Sequence, residues 1–212
     1  MKTLKQKLFA IIDTETLGGA NDNFCHAYHL GAVCINRKGE LIDNFNAIIL
    51  ENLLMDSAYY GQYKKEYYRQ LCKDENVIIA YTEKEALDYF QDWLDANEIT
   101  TICAYNSGFD FVKTIVNQII NQYEFIDILY AFKDTIAQTK GYKKYCDDHE
   151  YLTARGTPRM TAEIAYRYVS GDDDFTEEHT ALSDAEIESV ILMAVWRTHK
   201  KFTRNQHLIR NR

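Results

Sequence analysis

The stretch Leu8-Phe-Ala-Ile-Ile-Asp-Thr-Glu-Thr16 constrains this chain more than any other. Its apolar half reads as a buried strand. Side chains along a strand alternate between faces, so Asp13 and Glu15 at its end point the same way. Two carboxylates side by side at the end of a buried strand repel each other and are poorly solvated. Hard divalent cations take carboxylate oxygens, and such a pair calls for one. The pattern alone is not enough. The chain holds three D-x-E pairs, Asp13/Glu15, Asp148/Glu150 and Asp184/Glu186, and only the first follows an apolar strand.

Beyond this strand, Leu17-Gly-Gly-Ala20 reads as a turn. Tyr28 to Ile35 and Glu40 to Leu50 read as two more strands, joined at Asn36-Arg-Lys-Gly39, so an antiparallel meander opens the chain. Met55 to Cys72 has helical character and carries Tyr59, Tyr60, Tyr63, Tyr67 and Tyr68. Base stacking would use such residues; packing of amphipathic tyrosines is the plainer expectation. Thr82 and Glu85 form a capping box for a helix with Ala86, Leu87, Phe90, Trp93 and Leu94 on one face. Ile99 to Tyr105 is a fourth strand, broken by Asn106-Ser-Gly108. A helix with Phe109, Val112, Val116, Ile119 and Ile120 on one side follows, then a fifth strand, Tyr123 to Tyr130, interrupted by Asp127. Helices are expected over Ala131 to Tyr151 and Met160 to Val169. The last helix is expected from Ser183, boxed with Glu186, burying Ile187, Val190, Ile191, Ala194 and Val195.

No repeat, low-complexity block or linker divides the 212 residues, so one domain over 1–212 is expected, with a basic tail over about 197–212. Net charge is -8, which argues against broad non-specific nucleic-acid binding. The charge is uneven: Ser189 to Arg212 has six Lys or Arg and no Asp or Glu. That edge is either a solvated helix end or a guide for a phosphate backbone. No apolar run approaches a membrane span. Five cysteines, an odd number without a C-x-x-C pair, fit reduced thiols and a cytoplasmic location.

Three more residues join the first pair. Asp110 follows a strand in Tyr105-Asn-Ser-Gly-Phe-Asp110, and Asp184 opens a helix five residues after His179 in His179-Thr-Ala-Leu-Ser-Asp184. Each alone reads as a helix-stabilising acid or a surface histidine. In this order, with Leu30-Gly-Ala-Val33 on the second strand, they resemble the three motifs of the DEDDh (DnaQ-like) 3′–5′ exonucleases. The resemblance runs from about Phe9 to Leu192 and is loose over Glu51 to Ile99 and Tyr130 to Val169. Tyr105 departs from it, standing where many relatives have His. The Tyr-rich segment and Lys140 to Tyr145 look more like small phage-type members.

The resemblance implies an RNase H-like α/β fold: a five-stranded mixed sheet, three antiparallel then two parallel strands, flanked by helices. It implies two Mg²⁺ or Mn²⁺ ions held by Asp13, Glu15, Asp110 and Asp184, with His179 as general base. It implies contacts to single-stranded DNA or RNA 3′ ends from Thr14, Thr16, Leu17, Gly18, Asn106 and Phe109, although Phe109 also reads as a core residue. A polymerase or a second copy of the chain is a conceivable partner. The alternatives are an inactive nucleic-acid-binding module or a polymerase-associated proofreading subunit. Loss of an acid would mark the inactive module, and none of the four is missing.

Overall fold

The computed structural model describes residues 6–18, 21–55 and 65–202. The opening apolar run forms β1 (Leu8–Leu17), and β2 (His26–Asn36) and β3 (Leu41–Ile49) complete the expected antiparallel meander. Asn36 closes the turn between them, its Oδ1 accepting from the backbone of Lys38 and Glu40. Next come α1 (Leu50–Leu53), α2 (Lys65–Leu71), β4 (Ile78–Ala80) and α3 (Glu83–Ala96). Thr82 Oγ1 accepts from Glu85 N as a capping box requires, while Glu85 Oε2 accepts from Tyr81 N, one residue before the N-cap amide that the box would use. Then follow β5 (Thr101–Ala104), α4 (Asp110–Lys113), two 3-10 turns (Ile115–Gln118 and Ile120–Gln122) and β6 (Glu124–Asp127). The chain continues through α5 (Ile128–Thr135), α6 (Lys140–Asp148), α7 (Ala162–Ser170) and α8 (Ala181–Arg197).

The strands lie in the order β4-β3-β2-β1-β5-β6. β1 is central, antiparallel to β2 and parallel to β5, and β6 adds parallel to β5. Among the described residues the sheet has six strands, not five. The extra one, Ile78–Ala80, pairs parallel with Ala47 to Ile49 at the far edge of the meander. Three residues are too few for alternation to show in a sequence; pairing with β3 is what makes them a strand.

β1 is covered on both faces, and this places the functional residues. Ala10 and Ile12 share one apolar cluster with Phe90 and Leu94 of α3 and with Phe111. Phe9 and Ile11 share another with Ile191, Leu192, Val195 and Trp196 of α8. Each such side chain contributes about 1.5–3 kcal/mol on full burial. Continuing the alternation, Asp13 and Glu15 fall on the α8 side.

Three helices differ from expectation. The helix expected from Phe109 to Ile120 breaks after one turn. Thr114 takes extended backbone (φ −110°, ψ 179°), its hydroxyl donating to Asp110 O and accepting from Val116 N. A hydroxyl bonded to the carbonyl four residues back competes with the helix ladder. The Ala131-to-Tyr151 helix is two helices, the second capped by Thr139 Oγ1 accepting from Tyr142 N. The last helix starts at Ala181 because Ser183 Oγ bonds back to Thr180 O and caps nothing further on. Its buried stripe is also rotated: Val190 is 40% exposed, while Leu192 and Trp196 are buried.

Tyr59, Tyr60 and Tyr63 lie outside the described residues, as do Gly19, Ala20 and the tail from 203. Of the remaining tyrosines in that segment, Tyr68 packs edge-on against Tyr28 and His29, while Tyr67 is exposed. The five cysteines are free thiols. Among the described residues no helix is long and apolar enough to cross a membrane.

Candidate metal centre

The register of β1 on β2 sets Asp13 opposite Gly31 and Glu15 opposite His29, and a bulge follows between Glu15 and Thr16. Bulges re-aim side chains at strand ends. The start of α8 lies directly on β2: a Cβ at Gly31 would come 2.3 Å from Ala181 C and Leu182 N. This close seat brings Asp184 down to β1. Carboxylate oxygens of Asp13, Glu15 and Asp184 lie within 4.8 Å of one another. Glu177, His179 and Asp184 form a second such group, sharing Asp184. Residues far apart in sequence therefore meet at one end of the sheet.

Asp110 joins from the neighbouring parallel strand. It opens α4, is buried, and its Oδ1 accepts from Thr14 Oγ1 at 2.6 Å. The corner before it is fixed from below. Asn106 sits in the left-handed region (φ 62°), and Ser107 donates through N and Oγ to Asp127 Oδ2 at 3.1 and 2.8 Å. Asp127 Oδ1 also accepts from Tyr130 N. The aspartate that interrupts an apolar strand in the sequence is thus the clamp of this corner and the cap of α5.

Glu188 is an acid that the sequence reading does not find. It lies one turn beyond Asp184 on the buried face of α8, and its Oε2 accepts from Tyr105 N at 3.0 Å. The i, i+4 spacing from Asp184 is the signal that points to it. Tyr105 is itself buried, and its hydroxyl donates to Met160 O.

The charges crowd. Burial, then the charges of Asp110, Glu188, Glu15 and Asp184, hold the Asp13 carboxyl well above its usual range. Burial raises Asp110 to about 7 against the opposing bond from Thr14. Burial, then Asp184 and Glu163, raises Glu177 to about 7. Burial, then Asp110, pushes Glu188 up as well. An all-oxygen donor set with this much uncompensated repulsion fits a hard divalent cation.

His179 also has left-handed backbone (φ 53°), and its Nδ1 lies 3.9 Å from Glu177 Oε2. The expected substrate contacts are spread more widely. Thr14 is buried with its hydroxyl on Asp110. Thr16 bonds the Cys25 thiol. Leu17 is buried in a cluster with Tyr28, Ile48, Tyr68 and Val77. Gly18 is exposed with φ 92°, a conformation that favours glycine. Asn106 is exposed, and Phe109 is half-buried outside the apolar clusters.

This electrostatics predicts a metal-dependent stability profile. Unfolded carboxyls lose their protons near pH ~4, whereas folded Asp110 and Glu177 keep theirs to about 7. Between those values the folded state binds more protons, so stability falls as pH rises. His29 acts oppositely: burial lowers it to about 4, so its contribution grows as pH rises toward the unfolded value of ~6.5. One histidine faces five raised carboxyls, Asp13, Asp110, Glu177, Glu186 and Glu188, and the decline prevails. Thermal melts in EDTA should therefore lose stability between about pH 5 and about pH 8, and Mg²⁺ should restore it. Equal melting temperatures with Mg²⁺ and with EDTA at the higher pH would contradict this.

A mixed sheet between two helical layers, with acids converging where β1 and β5 end, defines an α/β protein with a carboxylate centre. Neither a protein-family model nor a curated protein sequence matches the chain. Solved structures match it in fold. It superposes on cell-death related nuclease 4 (CRN-4) with TM-score 0.59 and 14% identity, covering 94% of this chain and 67% of that one. Fainter likenesses, both at TM-score 0.46, are to S. pombe Pop2p in its Mg²⁺ and Mn²⁺ bound form and to exonuclease X in complex with 5′ overhanging duplex DNA. Their identities are 14% and 15%; the Pop2p match covers 88% of this chain and 82% of that one, the exonuclease X match 90% and 92%. The chain therefore has the fold of a solved nuclease.

Proposed function

We propose that this protein is a divalent-metal-dependent 3′–5′ exonuclease of the DEDDh type. It would hydrolyse phosphodiesters at the 3′ end of single-stranded nucleic acid and release nucleoside 5′-monophosphates. One observation carries the reading: Asp13, Glu15 and Asp184 present oxygens within 4.8 Å of one another, on the fold of a nuclease. Asp110, tied to β1 through Thr14, and His179, two residues before the helix that carries Asp184, complete the set.

Asp13, Glu15 and Asp184 would hold one Mg²⁺ or Mn²⁺, and Asp110 with Asp13 a second. Bound ions of this kind lower the pKa of water and stabilise charge on a departing O3′. The protein's own part is to place and accept. His179, whose Nδ1 lies 3.9 Å from Glu177 Oε2, would take the proton of the attacking water. Thr14 and Asp127 keep Asp110 and its corner in place.

The test is a set of 5′-labelled single-stranded and duplex RNAs and DNAs, incubated with Mg²⁺, Mn²⁺ or EDTA. Stepwise shortening by single nucleotides, abolished by EDTA, is expected. Shortening only in internal jumps excludes an exonuclease, and binding without shortening favours an inactive module. His179→Ala should slow the reaction by roughly 10²–10⁴-fold while calorimetric Mn²⁺ binding stays near wild type. Unchanged turnover in that variant removes the histidine from the mechanism.

A further inference from the structure

Beneath the start of α8 lies a histidine to which the acidic centre assigns no role. His29 on β2 is fully buried. Its Nδ1 accepts the backbone N–H of Ala181 at 3.3 Å, and its Nε2 is 2.7 Å from Asn46 Oδ1 on β3. A backbone amide can only donate, so Nδ1 carries no proton. A carboxamide oxygen can only accept, so Nε2 carries it. The Tyr68 hydroxyl, 3.3 Å from Nδ1, is able to donate to the same nitrogen. A single neutral tautomer satisfies every partner.

The bond also answers a need of the helix. The first N–H groups of an α-helix have no partner within it, and the side chain of Thr180, the residue before α8, makes no capping bond. His29 supplies an acceptor from another element. The amide it holds stands two residues after His179 and three before Asp184. Gly31, two residues along the same strand, gives the backbone clearance that lets the helix come this close.

We propose that His29 is a positioning residue: as its Nε2–H tautomer it fixes the first turn of α8, and through that turn the placement of His179 and Asp184. The proposal rests on the exonuclease reading for its consequence, but its geometry is testable without it.

Two measurements separate them. Ring ¹⁵N shifts of the full chain, labelled at histidine, are expected to show His29 with an unprotonated, accepting Nδ1 and a protonated Nε2. The reverse tautomer overturns the proposal. In single-turnover cleavage of a labelled single strand, His29→Phe fills the space without an acceptor. It should lower the rate about 10²-fold with KM changed by less than about threefold. His29→Gln, which both accepts and donates, should recover the rate to within about tenfold of wild type. If His29→Phe does not fold, Asn46→Ala removes the group that fixes the tautomer and should lower the rate at least about fivefold. A wild-type rate in either His29→Phe or Asn46→Ala overturns the proposal. A wild-type protein that shortens no strand defeats the exonuclease reading instead, and the ring shifts still decide the tautomer.

Discussion

Asp13→Asn is expected to make the metal-free protein more stable and the metal-loaded protein inert. The Asp13 carboxyl is raised by burial and by Asp110, Glu188, Glu15 and Asp184, so in the ionised state it repels every near neighbour of its own sign. Asparagine has nearly the same shape and no charge. Removing one such repulsion should raise the melting temperature in EDTA at neutral pH by a few degrees, the scale on which about 1 kcal/mol moves a chain of this size by roughly 2–4 °C. The same change removes an oxygen anion from the group that includes Glu15 and Asp184. Cleavage should fall about 10³-fold, the scale for losing a group that stabilises transition-state charge. Asp184→Asn should act alike, since it belongs to both acidic groups. The decisive measurement is a melt in EDTA beside a cleavage assay in Mg²⁺. A variant that loses activity and melts lower in EDTA would mean that the acids support the fold, and the case for a caged cation would fail.

Gly31→Ala should damage both folding and activity, for a reason unrelated to charge. The added Cβ would stand 2.3 Å from two backbone atoms of the α8 start and 2.6 Å from Ala181 O. No rotamer relieves a clash with backbone, so the helix must lift or the strand must bend. Overpacking of this kind costs roughly 3 kcal/mol. The lift acts at the turn that carries Asp184 and follows His179, and a displacement of about 1 Å there costs on the order of 10²-fold in rate. Denaturant unfolding and single-turnover cleavage read the two effects separately. Wild-type values in both would show that α8 does not sit on β2 as described.

How far the sequence reveals this arrangement depends on the length of the signal at each place. The run from Leu8 into Asp13 and Glu15 is long enough for alternation to show, and the structure places those acids on the face the alternation requires. Asp110 and Asp184 are legible because each follows a clear break into a helix start. The strand Ile78–Ala80 is not legible: three residues become a strand only through β3. The break at Thr114 hides because Phe109 to Ile120 keeps a helical spacing of apolar residues, while one hydroxyl decides the backbone. Glu188 hides for another reason. A carboxylate in a helix ordinarily reads as solvent-facing; its i, i+4 spacing from Asp184 hints otherwise, but the seat of α8 on the sheet is what turns it inward. Asp127 reads as a flaw in a strand because its partner, Ser107, lies twenty residues earlier.

The order in which the acids occur along the chain has a consequence for synthesis. Asp13, Glu15 and Asp110 emerge early, but Asp184 and His179 arrive only with the segment entering α8, the helix that also covers β1 with Ile191, Leu192 and Val195. A nascent polypeptide that has not yet delivered that helix holds three of the four acids and an uncovered central strand. On the proposed reading, competence to cut and completion of the core are one event.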